Sequence, residues 1–370
     1  MAESLLVSNS DILFMILSLL PAEALLRVKS VCRAWAEVIS DPAFVRAHSS
    51  RPTPITYFFA MMLDLGENQI QGFKRFEQGA KFPTSIGGIL SSGFKAVSSS
   101  HGLLCFRRDW VFIVGNPAIS HWCVLQFPTP NSLFMFHGAV LMYDPVISTH
   151  FKLAVVLITL DNREALKHYI QFNIYTSETS SWTVSSLFTQ FFNPEIVSYY
   201  HYNIETIRGS DVYKPCKIGG GSICWIDEFE SLVGYEISTD TYWKASMPPR
   251  IGKGVAKVWR LEGKNSWVLE GEGDYEQLRL FVPTQFAYDP ARRALILGVR
   301  DNGEYFALHL STSRLEIVSH APDFQPPPWE MYDHPIKPHA NTLAPLHGAE
   351  TGLNGLARGF RRLGLRPLDL

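Results

Sequence analysis

Cysteine is scarce and never paired in this chain. Its five residues, Cys32, Cys105, Cys123, Cys216 and Cys224, are odd in number and nowhere form a CxxC. That excludes the common zinc and dithiol motifs and points to small buried hydrophobes in a reduced intracellular compartment, cytoplasmic or nuclear. Long apolar runs are missing as well. Beyond the amino-terminal segment the longest is Leu153 to Leu160, far short of the roughly 20 residues a membrane helix needs, so no membrane partner is expected. Charge of one sign is lacking: 33 basic against 35 acidic residues give a formal net charge of -2, with nothing to suggest a nucleic-acid partner.

Catalytic signatures are equally thin. HExxH, GxxxxGK[ST] and GxSxG are all absent, and Gly219-Gly220-Gly221-Ser222 runs into Ile223-Cys224, without the phosphate-loop Lys or the final Gly of a nucleophile elbow. The glycine run reads as a flexible turn before a strand containing Trp225. His334 and His339 stand on a Pro-rich stretch without a neighbouring cysteine or carboxylate pair, a poor metal site. No cofactor, metal or catalytic residue is expected.

What is present is apolar and aromatic: 46% hydrophobic and 13% aromatic residues, ample for a large core in a soluble globular protein. From an N-cap at Asn9 or Ser10, Ile12, Leu13, Ile16, Leu17 and Leu20 recur at helical spacing until Pro21 stops the run. The pattern predicts a second helix from Ala22 to Lys29. A third, capped by Ser30, carries Val31, Cys32, Trp35, Val38 and Ile39 and ends at Asp41-Pro42. Residues 12 to 20 also have the length of a signal-peptide core, and Ala22-Glu23-Ala24 mimics a cleavage site. Against that reading, no Lys or Arg precedes the run, Glu3 and Asp11 make its start acidic, and the helical period continues to Trp35. So short a segment cannot bury this much Leu, Ile and Trp within itself; it needs the rest of the chain or a partner.

Past residue 50 the period changes to two, broken by turn signals. Val111-Phe112-Ile113-Val114-Gly115 runs into Asn116-Pro117 and on to Trp122, and Leu141-Met142-Tyr143 runs into Asp144-Pro145 and on to Phe151. The same shape returns around Ser177-Glu178-Thr179, Ser238-Thr239-Asp240, Asp289-Pro290 and Ser311-Thr312-Ser313. Asn or Asp closes an Asx-turn, Pro presets the turn backbone, and Ser or Thr satisfies nearby amides, so each unit is a strand, a polar corner and a strand. Repeated antiparallel units with an aromatic each suggest a β-propeller, since radial repetition leaves few edges; a β-sandwich array is the other reading. At about 40 to 50 residues per blade, the span from Ile55 to Trp329 holds roughly six.

Seven prolines between Pro322 and Pro345 preclude helix or central strand and predict a segment wrapping the surface, with Trp329 as an anchor. Beyond Gly348, Arg358, Arg361, Arg362 and Arg366 sit among glycines, which reads as a disordered or weakly held helical tail with solvated arginines.

The helical stretch carries a register of its own. Ile16-Leu17, Leu20-Pro21, Leu25-Leu26-Arg27, Val31-Cys32-Arg33, Trp35, Ile39, Asp41-Pro42 and Phe44 together resemble the F-box of plant F-box proteins. One departure is that Ser8-Asn9 replaces the Leu-Pro that usually opens the motif, so contacts made through that pair are in question. Ser98-Ser99-Ser100-His101-Gly102-Leu103-Leu104-Cys105, followed by Asn116-Pro117 and Trp122, resembles the opening of the kelch-like F-box-associated domain of the same proteins, with His101 where Asn is expected. The chain is accordingly read as an α+β multidomain protein. A three-helix F-box spans 5–50, an all-β domain, a propeller of roughly six blades, spans 55–345, and an Arg-rich tail spans 346–370.

The resemblance implies a non-catalytic substrate-recognition subunit of a Skp/cullin/F-box ubiquitin ligase, with a Skp adaptor, and through it a cullin, as partners. Adaptor docking is assigned to Ile12, Ile16, Leu17, Leu20, Pro21, Leu25, Val31, Cys32, Trp35 and Ile39, some facing the adaptor and some packing the helices together. If Trp35 is buried, its truncation to Ala costs about 3–5 kcal/mol. An unknown protein substrate would meet the loops at one end of the propeller, and Phe191, Phe192, Tyr199, Tyr200, His201 and Tyr202 form the candidate contact stretch. Two other classes stay open: an adaptor-binding or freestanding interaction module without ubiquitination, and a kelch-type propeller oxidase, which would need a buried Tyr/His metal cluster.

Overall fold

The structure, a computed structural model, describes residues 11–51, 56–63, 69–75, 84–128, 134–160, 167–185, 188–191, 216–218, 222–226, 231–246, 255–262, 266–274, 283–289, 291–299, 305–319, 337–339, 343, 346 and 350–362.

Residues 11–49 form four short helices rather than the three expected: α1 (11–18), α2 (Ala22–Val28), α3 (Arg33–Ser40) and α4 (Pro42–Ser49). Pro21 is the N-cap of α2, extended at φ -66°, so the residue that ends one helix opens the next. Asp41-Pro42 does the same. It closes α3, yet the Asp41 carboxylate accepts from Ala43 N at 2.6 Å and Phe44 N at 3.4 Å, and Pro42 sits at the first helical position, where its missing N–H costs nothing. Ser30 does not cap α3. Its hydroxyl donates back to Arg27 O, and the extended residue ahead of α3 is Cys32, which offers no capping bond and is exposed.

Among the described residues the remainder is β, in six sheets. The first opens with β1 (Tyr57–Leu63) and β2 (Gln69–Arg75), after which comes α5 (Thr84–Ser91). The second contains β3 (Lys95–Ser100), β4 (Leu103–Arg108), β5 (Val111–Asn116) and β6 (His121–Gln126). The third contains β7 (Phe134–Met142), β8 (Lys152–Leu160) and β9 (Lys167–Thr176), with β10 (Ser181–Val184) and β11 (Phe188–Phe191) both paired to β9. The fourth has β12 (Cys216–Ile218), β13 (Ser222–Ile226), β14 (Ser231–Glu236) and β15 (Thr241–Ser246). The fifth has β16 (Val255–Glu262) and β17 (Ser266–Asp274), and the sixth has β18 (Pro283–Asp289), β19 (Ala294–Val299), β20 (Tyr305–His309) and β21 (Arg314–Ser319). The chain then returns: β22 (Lys337–His339) pairs with β1, β23 (Glu350–Thr351) pairs with β6, and α6 (Gly352–Arg362) follows.

Each sheet packs on the next. Leu103, Phe112, Leu141 and Leu153 share a core between the second and third sheets; Met142, Phe172, Ile223 and Tyr235 share one between the third and fourth. Trp243 meets Leu261 and Trp267 of the fifth, and Val258 meets Leu297 and Leu308 of the sixth. The circuit ends at β22, which lies against both β18 and β3. This is a β-propeller. Neighbouring inner strands run the same way, because Ser98 Oγ accepts from Leu141 N at 2.9 Å and Ser100 Oγ donates to Tyr143 O at 2.9 Å, both across 43 residues. The β3–β4, β5–β6, β7–β8 and β9–β10 turns therefore lie at one end of these two sheets, and the β4–β5 turn and the start of β9 at the other.

All six hairpins expected from the turn chemistry are present. Asn116, Asp144 and Asp289 each accept a hydrogen bond from the amide two residues on, at 2.9 to 3.0 Å, as Asx-turns do. Ser120, Ser180, Asp240, Arg293 and Ser313, each the residue before an outgoing strand, hold φ between 48° and 53°, the left-handed step that brings the strand back into register. His101 and Gly102 have φ of 43° and 83° in the two-residue β3–β4 turn. Asn is common there because it tolerates this region, and His tolerates it too.

The carboxyl-terminal part departs from expectation. The Pro-rich segment does more than wrap the surface: Pro338 sits in β22 at the edge of its sheet, where a missing N–H is tolerated, and Leu343 and Leu346 are buried. The tail holds a seated helix. Leu356 and Phe360, one turn apart, are buried on the second sheet beside Ile86, Ile89 and Phe94, while Arg358, Arg361 and Arg362 face solvent. Gly359 lets the helix backbone approach β6 closely, since a β-carbon there would press on Val124 Cγ2 at 2.8 Å. Among the cysteines, Cys105 and Cys224 are buried as expected, but Cys123 is half-buried and Cys32 exposed.

Candidate functional site

The amino-terminal helices divide their apolar residues into two faces. Leu17, Ala22, Leu25, Ile39 and Phe44 are almost fully buried, with Leu13, Phe14, Leu20 and Trp35 packed at the edge. The Phe14 and Phe44 rings meet edge-on at 5.0 Å. His48 is buried beside them, its Nε2 donating to Leu20 O at 2.9 Å, and Arg51 donates to Ser18 O, so the end of α1 is tied down by two long-range bonds. Burial lowers the His48 pKa, outweighing the Leu20 bond that raises it.

The other face is bare. Ile12, Met15, Ile16 and Leu19 are 53%, 68%, 55% and 76% exposed, a stripe at i, i+3, i+4 and i+7 along α1 and the turn that follows it, and Val31 is 63% exposed. Apolar side chains grouped this way on one short helix mark a surface that a partner covers. The ten docking residues named from the sequence thus separate: Ile12, Ile16, Pro21, Val31 and Cys32 are exposed, Leu20 and Trp35 half-buried, and Leu17, Leu25 and Ile39 interior. Met15 and Leu19 were passed over. Their spacing from Ile12 and Ile16 was the available signal, but nothing in the spacing says which stripe faces inward. Trp35, half-buried, should lose less on truncation than the full-burial figure.

This unit is seated on the propeller. Leu343 lies in its core at 6% exposure, and Ile119 of the β5–β6 turn packs against it. His121, at the start of β6, has its pKa lowered by burial and then by Lys29, placing the end of α2 beside the second sheet. The helices therefore sit at the end of that sheet where the β5–β6 turn lies.

Of the substrate-contact candidates, Phe191 ends β11, opposite Lys167 at the start of β9. The chain thus leaves the third sheet at the end away from the helices. Phe192, Tyr199, Tyr200, His201 and Tyr202 lie outside the described residues, as do His334 and Trp329. Among the described residues, no three His, Cys, Asp or Glu side chains converge as a metal site would require, and no helix is long and apolar enough to cross a membrane.

Comparison with known proteins bears on both parts. The family described as F-box-like matches residues 10–50, and the family described as F-box protein At3g26010-like, beta-propeller, matches residues 69–207. Two similar Arabidopsis thaliana proteins each cover most of this chain. F-box protein At5g18160 is 24% identical over 333 residues, covering 83% of this chain and 78% of that protein. F-box protein At1g48060 is 23% identical over 303 residues, covering 77% and 72%. Among solved structures, the β-propeller domain of Myceliophteria_thermophila Cps50 (Swd1) aligns with 74% of this chain and 88% of its own at 10% identity, with a TM-score of 0.35, too distant to bear on the site. Helices matched by the first family over 10–50, sheets matched by the second over 69–207 and relatives similar over most of the chain make this chain an F-box protein with a carboxyl-terminal β-propeller of the At3g26010-like kind, homologous to Arabidopsis F-box proteins.

Proposed function

We propose that this chain is the target-recognition subunit of a Skp/cullin/F-box ubiquitin ligase: the F-box docks a Skp adaptor, and the propeller holds a protein target without taking part in the chemistry. The observation that carries the reading is the bare stripe Ile12, Met15, Ile16 and Leu19, which the other described residues leave exposed although they bury the opposite face of α1. Adaptor contact then falls to Ile12, Met15, Ile16, Leu19, Pro21, Val31 and Cys32, while Leu17, Leu25 and Ile39 act by holding the helices together. A ring of roughly six blades is supported by the six sheets among the described residues and by β22, which pairs with β1 and lies against both β18 and β3. A target held on such a frame gains effective concentration at the conjugating enzyme, with no residue of this chain touching the reacting atoms.

Co-elution of the purified chain with a Skp adaptor tests this. Ile16→Asp should lose the adaptor while keeping the wild-type melting curve, because residue 16 is already in water. Leu17→Asp should lose it by unfolding the F-box, a buried charge costing several kcal/mol. Ile16→Asp co-eluting as well as wild type would overturn the docking assignment.

A further inference from the structure

The end of the propeller away from the F-box carries a guanidinium in an unusual setting. Arg107 lies near the end of β4, half-buried, with Cζ 3.6 Å from the centroid of Phe136 on the neighbouring blade and 5.5 Å from that of Trp110. Its Nε is buried without a hydrogen-bond partner, and among the described residues no carboxylate pairs with it. Burial pulls its pKa down to about 10 in spite of nearby Asp109, which raises it. A desolvated cation offset only by one unpaired, exposed carboxylate nearby costs stability.

The walls are stiff. Trp110 stacks on Phe127 at 5.3 Å, Phe127 meets Trp182 at 4.9 Å, and Phe127 N donates to Trp110 O at 2.9 Å. Lys95, exposed, pairs in register with Arg107 and so presents its charge on the same face. Arg108 points to the other face, its Cζ 4.8 Å from Phe94 and its Nη1 donating to Ser92 O at 2.7 Å. Trp110 and Ile119 flank opposite ends of β5, so the notch stands roughly 20 Å from the F-box side, clear of the adaptor.

We propose that this notch between the second and third sheets is a docking site for one carboxylate side chain, Asp or Glu, of the target protein. The inference rests on the propeller being the target-binding part. A guanidinium stacked on a ring keeps its N–H edges for a planar bidentate acceptor, and Lys95 adds attraction without geometry. A phosphate fits less well. Arg107 and Lys95 carry one positive charge each and Asp109 offsets one of them, which leaves a net charge that suits a monoanion better than a phosphate dianion. The stiff aromatic rim also leaves little side-chain entropy to lose on binding.

A random-peptide display library panned on the folded full-length protein tests this. Peptides enriched by the wild type should share one acidic position flanked by apolar residues. Replacing that residue by Gln or Asn, or Arg107 by Met, should each weaken binding about tenfold or more, with the two changes together adding little. Arg107→Met, which keeps the packing on Phe136 and removes a desolvated charge that Asp109 offsets only in part, should leave the melting temperature unchanged or raised. Enriched peptides without an acidic residue, an acidic motif bound equally by Arg107→Met, a phosphoserine version binding more tightly than the acidic one, or a melting temperature lowered by Arg107→Met would each overturn the proposal. Adaptor co-elution reads the ligase assignment separately: its loss beside intact, Arg107-dependent peptide binding would sink that assignment and leave the notch standing.

Discussion

Gly115 on β5 lies directly across from Trp122 on β6, and Gly234 on β14 from Trp243 on β15. In both pairs the indole lies over the glycine, and an added β-carbon would fall inside the ring's contact distance. The glycine in each hairpin is there because a large aromatic rests on its backbone. Gly234→Ala should therefore cost about 1–3 kcal/mol by overpacking. Gly115→Ala should cost more, since its β-carbon would also meet the His121 carbonyl, which a side-chain rotation cannot relieve. Thermal melts of both, with Trp243→Ala as the second arm of a double-mutant cycle for Gly234, check this. Equal costs at the two sites would refute the backbone argument. The aromatic in each hairpin was legible in the sequence. The glycine opposite it was not, because cross-strand neighbours depend on register.

At the scale of elements, Pro and Asp signals were read for what they stop more readily than for what they start. Asp41-Pro42 ends α3, and the same Asp41 carboxylate caps α4, the helix that supplies Phe44 and His48 to the F-box core. That core has a pH limit built into it. The folded-state pKa of His48 is lowered by burial, so below roughly pH 6.5 the unfolded chain binds a proton that the folded one resists. Stability is full above that value and falls as pH drops towards the folded pKa. Unfolding measured at about pH 7.5 and about pH 5.5 should show a smaller acid loss for His48→Gln than for wild type; the same loss in both would mean that His48 does not set the limit. The α6 helix illustrates a different difficulty. Leu353, Leu356, Ala357 and Phe360 recur at i, i+3, i+4 and i+7, but so short a stripe among arginines and glycines does not say which surface receives it, and only the second sheet shows that Leu356 and Phe360 are buried.

Segments far apart in sequence hold the molecule together. The strand that completes the first sheet comes from residues 337–339, and Leu343 a few residues later enters the F-box core. The Pro-rich segment thus both closes the ring and fastens the F-box to it. Leu343→Asp should release that coupling: calorimetry is expected to show the F-box melting ahead of the propeller, with the propeller transition little changed. A single transition at the wild-type temperature would mean that Leu343 is not what joins them. In the ligase proposed above, a fixed F-box would also fix the opposite end of the propeller relative to the adaptor, as proximity-driven transfer requires.

By itself the sequence determined the class of each part, because helical periodicity, Asx-turn residues and the register of Pro21, Val31-Cys32-Arg33 and Trp35 are local signals, each legible within a few turns of chain. The tertiary structure alone decided which apolar stripe of α1 is bare among the described residues, that Arg107 faces Phe136 across two sheets, and that residues 337–343 reach both the first sheet and the F-box core. These are contacts between distant segments. They turn on which surface meets which, and that is settled only when the whole chain has packed.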